Sequence, residues 1–442
     1  MALQTNKKEP FQAVITNLSR IVLALVLIVS GYLKAVDPMG FCYKLGEYLA
    51  AFGVDSISPG WLTFASIILC AAEFVTGVLL LMGVYRRLVV ALTFIFFLFF
   101  TPLTLVLALW NPVRDCGCFG DAFHLSNWAT FAKNVILLML ATLVAVKQRL
   151  FVGRISNDCR WMVALFAFSF VALLEGIALM HLPVIDFRPF AIGTNLREAV
   201  VDIPSEKRVL YKFEKEGVVK EFDDDSYPDS TWNYLGSREE VLKEGVPAKI
   251  LDFSFIDDNT GDEYADIILA DTGYVCLLVV ECAETADESR VDKINDLYDL
   301  CCEHGAAFYA ATASEGDDVL RWRKRTGAEY PILWADPIML KTMVRANPGL
   351  LLIKDGTVVE KWNALDIPDI EKISSETPLH SLKTEWFIGI TRSWRFWILF
   401  FVAPLLFIVA VDGAVRGKEH LSKKRKEKRA KEGNLKDDKS KK

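Results

Sequence analysis

Apolar residues in this chain fall into two regimes. Over the first 182 residues, and again close to the C-terminus, they form predominantly apolar runs of about the 20 residues a helix needs to cross a hydrocarbon core. Five such runs lie at 14–33, 61–82, 88–110, 128–146 and 161–180, and a sixth at 394–411. Tryptophans stand at several of the ends, among them Trp61, Trp110, Trp128, Trp161 and Trp394. Indole rings favour the headgroup level, so these flanks support membrane spans over buried soluble helices. Lys7 and Lys8 precede the first run, which is too long for a signal-peptide core and lacks a small-residue cleavage site. It reads as a retained first span.

Between the fifth and sixth runs the pattern changes. The chain leaves the membrane regime through Pro183 and Pro189, and no span-length run returns before Trp394. Residues 221–225, Glu-Phe-Asp-Asp-Asp, read as a solvated loop. A βα alternation follows. Residues 273–281 hold a continuous apolar run, the pattern of a strand covered on both faces. A helix is expected at 289–302, a strand at 306–311, a helix at 317–326 and a short helix at 337–345. Two strands, 350–354 and 358–362, flank an Asp355-Gly356 turn. This order resembles the thioredoxin fold over about residues 250–366. Asn347-Pro348 stands where thioredoxin-like proteins carry a cis-proline facing the active site. Such proteins place Cys-x-x-Cys where the first buried strand meets its helix. Here Cys282 is alone at that place, and Cys301-Cys302 lies at the far end of the helix. A client-binding module fits these residues better than a dithiol enzyme. Cys276 reads as a small core residue.

The expected fold class is therefore an all-α membrane bundle of about six transmembrane helices plus an α/β thioredoxin-like soluble domain. The divisions are a membrane domain over 1–182, a soluble domain over 183–385, the sixth span at 386–415, and a basic, disordered tail over 416–442. Composition agrees. The 442 residues are 52% hydrophobic with mean hydropathy +0.27, too apolar for an average soluble chain. The net charge of −6 hides an asymmetry between basic helix ends and an acidic middle. Arg86 and Arg87 lie between spans two and three, and Lys147, Arg149, Arg154 and Arg160 between spans four and five. With six spans, these, the N-terminal lysines and the basic tail all fall on one side, which is cytoplasmic by the positive-inside rule. Both termini are then cytoplasmic and the soluble domain periplasmic, in a bacterial inner membrane.

The most specific local motif is Asp115-Cys116-Gly117-Cys118-Phe119-Gly120, in a loop on the outer side. Two thiols one residue apart can close a strained disulfide that exchanges readily. An oxidising compartment permits it, and Cys42 in the other outer loop could resolve a mixed disulfide. A structural bridge or a pair of free surface thiols is the plainer reading, and a metal site using Cys116, Cys118 and His124 would lack an evident fourth ligand. Ionisable residues inside or closing spans form a second constellation: Lys34, Asp37, Glu73, Lys133 and Glu175. Such charges usually face a partner inside the bundle. A Glu73–Lys34 or Glu73–Lys133 pair would serve either as a proton or quinone-adjacent relay or as a bridge that fixes packing.

The first four spans resemble the DoxX/MauE family. The matching pieces are residues 30–38, Ser-Gly-Tyr-Leu-Lys-Ala-Val-Asp-Pro, then Glu73 and Gly77 in span two, the Cys116-Gly117-Cys118-Phe119-Gly120 loop, and Lys133-Asn134 in span four. The helical core is also similar to that of vitamin K epoxide reductase-type enzymes, without their Cys-x-x-Cys. The resemblance implies membrane-bound redox maturation: MauE-type proteins are associated with disulfide formation in an exported dehydrogenase subunit, and DoxX-type proteins with oxidoreductase or quinone-linked partners. The expected function is assistance to thiol–disulfide redox or maturation of exported proteins, with Cys116 and Cys118 as the redox pair. A non-catalytic scaffold for a periplasmic partner is the alternative. Quinone is the candidate cofactor. Membrane lipid and an exported client are the expected partners, and nucleic acid is not one.

Overall fold

The computed structural model describes residues 8–54, 57–113, 117–123, 125–151, 153, 155–215, 217–368, 378–382, 389, 391 and 393–440. The chain divides into two compact units. One comprises Met1–Phe187 with Thr384–Lys442, the other Arg188–Lys383.

The first unit is helical. Among its described residues, six helices are long and apolar enough to cross a membrane. They are α1 (Lys8–Val36), α3 (Pro59–Met82), α4 (Arg86–Trp110), α5 (Asn127–Val146), α6 (Arg160–Met180) and the first half of a C-terminal helix, Trp394–Ser440. The expected spans are recovered with ends moved by a few residues. Two expectations need correction. The stretch after α1, expected as a loop, holds α2 (Pro38–Ala51). Asp37 caps it, accepting from the Gly40 N–H at 2.9 Å, and Pro38 sits at the first helical position. At 14 residues α2 is too short to span. The basic tail, expected to be disordered, continues the last helix to Ser440. Its Lys, Glu, Ala and Leu are strong helix formers, which outweighs the absence of an apolar face.

Helices α1 and α3 pack backbone to backbone. A Cβ on Gly31 would come within 2.6 Å of the Phe74 nitrogen, and one on Gly77 within 2.8 Å of the Ile28 nitrogen. Small residues at such crossings let membrane helices approach closely. Phe74 stacks on Phe170 of α6 at 5.4 Å and meets Phe401 of the last helix edge-on at 5.6 Å. Asp412 of that helix accepts from both the backbone N–H and the hydroxyl of Ser156.

The second unit holds two sheets. A three-stranded antiparallel sheet, in the order β2-β1-β3, is built from β1 (Glu206–Lys215), β2 (Val218–Phe222) and β3 (Asn233–Lys243). Its strands carry polar residues on both faces, so the period-2 signal is confined to a short stretch of β1, Val209, Tyr211 and Phe213. Glu221, expected in a loop, is in β2, where its hydrogen bond to Arg238 of β3 holds its carboxyl below the usual range. The larger sheet runs β6-β5-β4-β7-β8, from β4 (Tyr274–Val280), β5 (Ala307–Thr312), β6 (Ile332–Trp334), β7 (Gly349–Lys354) and β8 (Thr357–Asn363). β4, β5 and β6 are parallel, and β7 and β8 are antiparallel to their neighbours. Helices α7 (Val291–Glu303), α8 (Gly316–Thr326) and α9 (Pro337–Met343) connect the strands. Every residue of β4 after Tyr274 is buried, as its unbroken apolar run requires.

Candidate functional site

The first unit encloses a cavity of about 710 Å³ whose walls are mostly apolar, with Leu27, Phe96, Phe97, Leu103 and Leu137 among them. Its polar lining is Ser30, Lys34, Glu73, Thr104, Cys118, Lys133 and Asn134, with the Tyr48 ring. Lys34 and Glu73 form a salt bridge, with side chains 6% and 5% exposed. Of the two pairings the sequence allowed for Glu73, this is the one made. The Lys34 ammonium also lies 5.1 Å from the centre of the Phe41 ring on α2. Lys133 instead sits 4.6 Å over the Phe119 ring, in the cysteine loop. Asn134 donates to Thr104 Oγ1 at 3.2 Å.

The cysteine loop is fastened to the same region. The Ser30 hydroxyl donates to the Cys118 carbonyl at 2.5 Å. Ser30 and Lys34 are one helical turn apart on α1, so this bond sets Cys118 beside the buried ion pair. Gly117 has φ +57, a left-handed conformation that favours glycine, and a Cβ there would come within 2.9 Å of the Lys44 side chain of α2. The Gly120 N–H closes the turn onto the Gly117 carbonyl at 3.1 Å. Asp115, Cys116 and His124 lie outside the described residues.

Other expected residues stand apart from this cavity. Cys42, expected as a third exchanging thiol, is buried on α2 with its sulfur 3.5 Å from Thr63 Oγ1, and it does not line the cavity. Asp37 acts as the α2 cap. Glu175 is buried on α6 outside the cavity lining, with Oε1 lacking a hydrogen-bond partner among the described residues. No cluster of three or more metal-ligating side chains occurs among the described residues. Ser30 and Asn134 entered the sequence reading only as parts of the family-matching pieces, and Thr104 not at all; a small polar residue inside an apolar run was the signal that Thr104 offered.

In the second unit, Asn347–Pro348 is a cis peptide. The Asn347 amide donates to the Cys282 carbonyl at 2.8 Å and to Thr285 Oγ1 at 3.2 Å. Cys282, Asn347 and Pro348 therefore come together at the C-terminal end of β4. Cys276 and Cys301 are buried, with sulfurs 3.4 Å apart, while Cys302 is exposed. The hydrogen bond to Cys301, together with burial, pushes the Cys276 thiol well above the ordinary thiol range.

No curated protein and no solved structure matches the chain. Residues 208–244, which cover most of β1 and all of β2 and β3, match the model of a domain of unknown function. Residues 12–147, running from α1 through α5, match the family model described as methylamine utilisation protein MauE, and this part of the membrane unit is MauE-like.

Proposed function

We propose that this protein assists disulfide formation or maturation in exported proteins, with Cys116 and Cys118 exchanging disulfides with a client. The observation that carries this reading is the seating of Cys118 beside the Lys34–Glu73 pair at an apolar cavity. The MauE-like match adds support, since that family is involved in methylamine dehydrogenase maturation. In the exchange, a client thiolate attacks one sulfur of the Cys116–Cys118 disulfide. A client–loop S–S bond forms, and the second loop sulfur leaves as a thiolate, which the Lys34 ammonium is positioned to stabilise. A second client thiol gives its proton to water and displaces the loop sulfur. The client leaves with a disulfide, and the loop holds two thiols and two more electrons.

The loop must then be reoxidised. The cavity suits a quinone: its walls are apolar and a charged, hydrogen-bonding end adjoins Cys118. Lys34, Ser30 and Asn134 are the residues that would hold its oxygens. A bound quinone would supply a two-electron, two-proton sink. This scheme puts the cysteine loop and the second unit in the periplasm, with both termini in the cytoplasm of a bacterial cell.

The second unit is read as a thioredoxin-like client-binding module. The strand order β5-β4-β7-β8 and the meeting of Asn347 with Cys282 at the end of β4 support this. Cys282 has no Cys-x-x-Cys partner in the sequence.

Alkylation trapping in cells tests the proposal. Cys118→Ser is expected to accumulate a mixed disulfide between Cys116 and an exported protein. Mutating Cys116 or Cys118 should impair client oxidation more than Cys282→Ser. A loop that keeps one oxidation state under all growth conditions, with a silent Cys116→Ser, would favour a scaffold that binds its partner without chemistry.

A further inference from the structure

A second cavity, of about 490 Å³, lies at the opposite end of the same helices. The α3–α4 turn, Gly83–Tyr85, forms one wall, and the segment leading into α6 forms the other. Arg86, Arg87 and Arg160 line it, and no Asp or Glu does. None of these three arginines has a carboxylate partner among the described residues. Arg160 is held over the Tyr85 ring at 5.0 Å, and Tyr85 itself takes a left-handed backbone, φ 48. The three arginines are exposed side chains lining one open concavity, and like charges so placed repel each other, weakly in solvent, unless an anion joins them.

The backbone adds to this field. Helix α4 begins at Arg86 and α6 at Arg160, both at this cavity. Neither first turn has a side-chain cap or an acidic residue. Their open N–H groups and dipoles favour negative charge in the same place as the arginines. Val84, Leu88, Phe151 and Ile155 supply apolar wall beside the charged part. The cavity sits where spans end, the depth of lipid headgroups. Guanidinium forks match phosphate oxygens in pairs, and the nearby Asp412 carboxylate is engaged by Ser156 and Arg416, not by these three arginines.

We propose that this cavity binds an anionic phosphate group, supplied by an anionic phospholipid headgroup or by free inorganic phosphate. Occupancy would tie the α3–α4 turn to the start of α6. The site shares no residue with the thiol exchange proposed above and stands or falls separately.

The test uses the full chain in phosphatidylcholine nanodiscs, with or without phosphatidylglycerol, in phosphate-free buffer. Native mass spectrometry counts retained lipid, and a heat-stability midpoint is followed as inorganic phosphate is added. Selective retention of phosphatidylglycerol identifies the lipid as the source. Stabilisation by phosphate in phosphatidylcholine alone identifies the free anion. In either case Arg86→Gln/Arg87→Gln/Arg160→Gln should weaken binding roughly tenfold or more, since each basic residue near an anionic surface contributes appreciably. Lys147→Gln/Arg149→Gln removes positive charge from the same end but outside the cavity and should leave binding unchanged. If the triple variant does not stay monodisperse, Arg160→Gln, which leaves the α4 turn intact, should weaken binding several-fold. Equal retention of both lipids with no response to phosphate would overturn the proposal. So would equal losses in the cavity and control variants.

Discussion

The Lys34–Glu73 pair makes the sharpest energetic prediction. Both groups are almost fully shielded, at 6% and 5% exposure, on helices whose glycines bring the backbones into contact. Removing one partner of a buried ion pair costs about 3–5 kcal/mol, because the other charge is left uncompensated. The Lys34 contact with the Phe41 ring is present in wild type and in Glu73→Met alike, so it cancels. The net loss should be about 3–5 kcal/mol, on the order of a thousandfold in the unfolding constant. The double variant Lys34→Met/Glu73→Met removes both charges and replaces them with flexible apolar chains, and should recover most of the loss. Equilibrium unfolding of the full chain in mixed micelles with increasing SDS, followed by far-ultraviolet circular dichroism, measures all three proteins. A Glu73→Met variant within about 1 kcal/mol of wild type, or a double variant as unstable as the single, would refute the reasoning.

Other outcomes follow from the same contacts. Gly77→Ala should cost about 1–3 kcal/mol in the same assay, since the added methyl meets the backbone of Ile28, which cannot rotate away. Asp412→Ala should loosen the last helix by about 1–3 kcal/mol, because the Ser156 N–H loses its acceptor; faster proteolysis at the α5–α6 connection is the readout. Cys302 should alkylate in the folded protein while Cys276 and Cys301 stay unreacted, as mass mapping after iodoacetamide would show. The raised Cys276 thiol gives a pH dependence of defined sign. Its folded value lies above the ordinary thiol value, so its contribution to stability is complete below about pH 8.5 and is lost as pH rises beyond it. The denaturant concentration that opens Cys276 to alkylation should therefore fall between about pH 8.5 and pH 10. An unchanged midpoint would contradict the assignment.

The sequence alone determined the spans, because crossing a bilayer demands a fixed length of apolar helix and any such run is legible without knowing its neighbours. It also determined β4, β5, β7 and β8, whose apolar runs and Asp355-Gly356 turn are local properties. β1, β2 and β3 were read past because lysines, arginines and glutamates interrupt both faces, and what holds them is pairing between strands together with the rings of Phe222, Tyr227 and Tyr234 gathered around Phe213. The Asp37-Pro38 start of α2 was present as a local signal but was read as part of a loop. Tertiary structure alone decided that Glu73 meets Lys34 and not Lys133, since Lys34 and Glu73 lie on α1 and α3, which cross closely at Gly31 and Gly77, while Lys133 lies on α5 over Phe119. It likewise turned Cys42 toward Thr63 and fastened Cys118 to Ser30, 88 residues away. Both cavities belong to this second class, because a concavity between helices is a property of how they meet and no single stretch of chain encodes it.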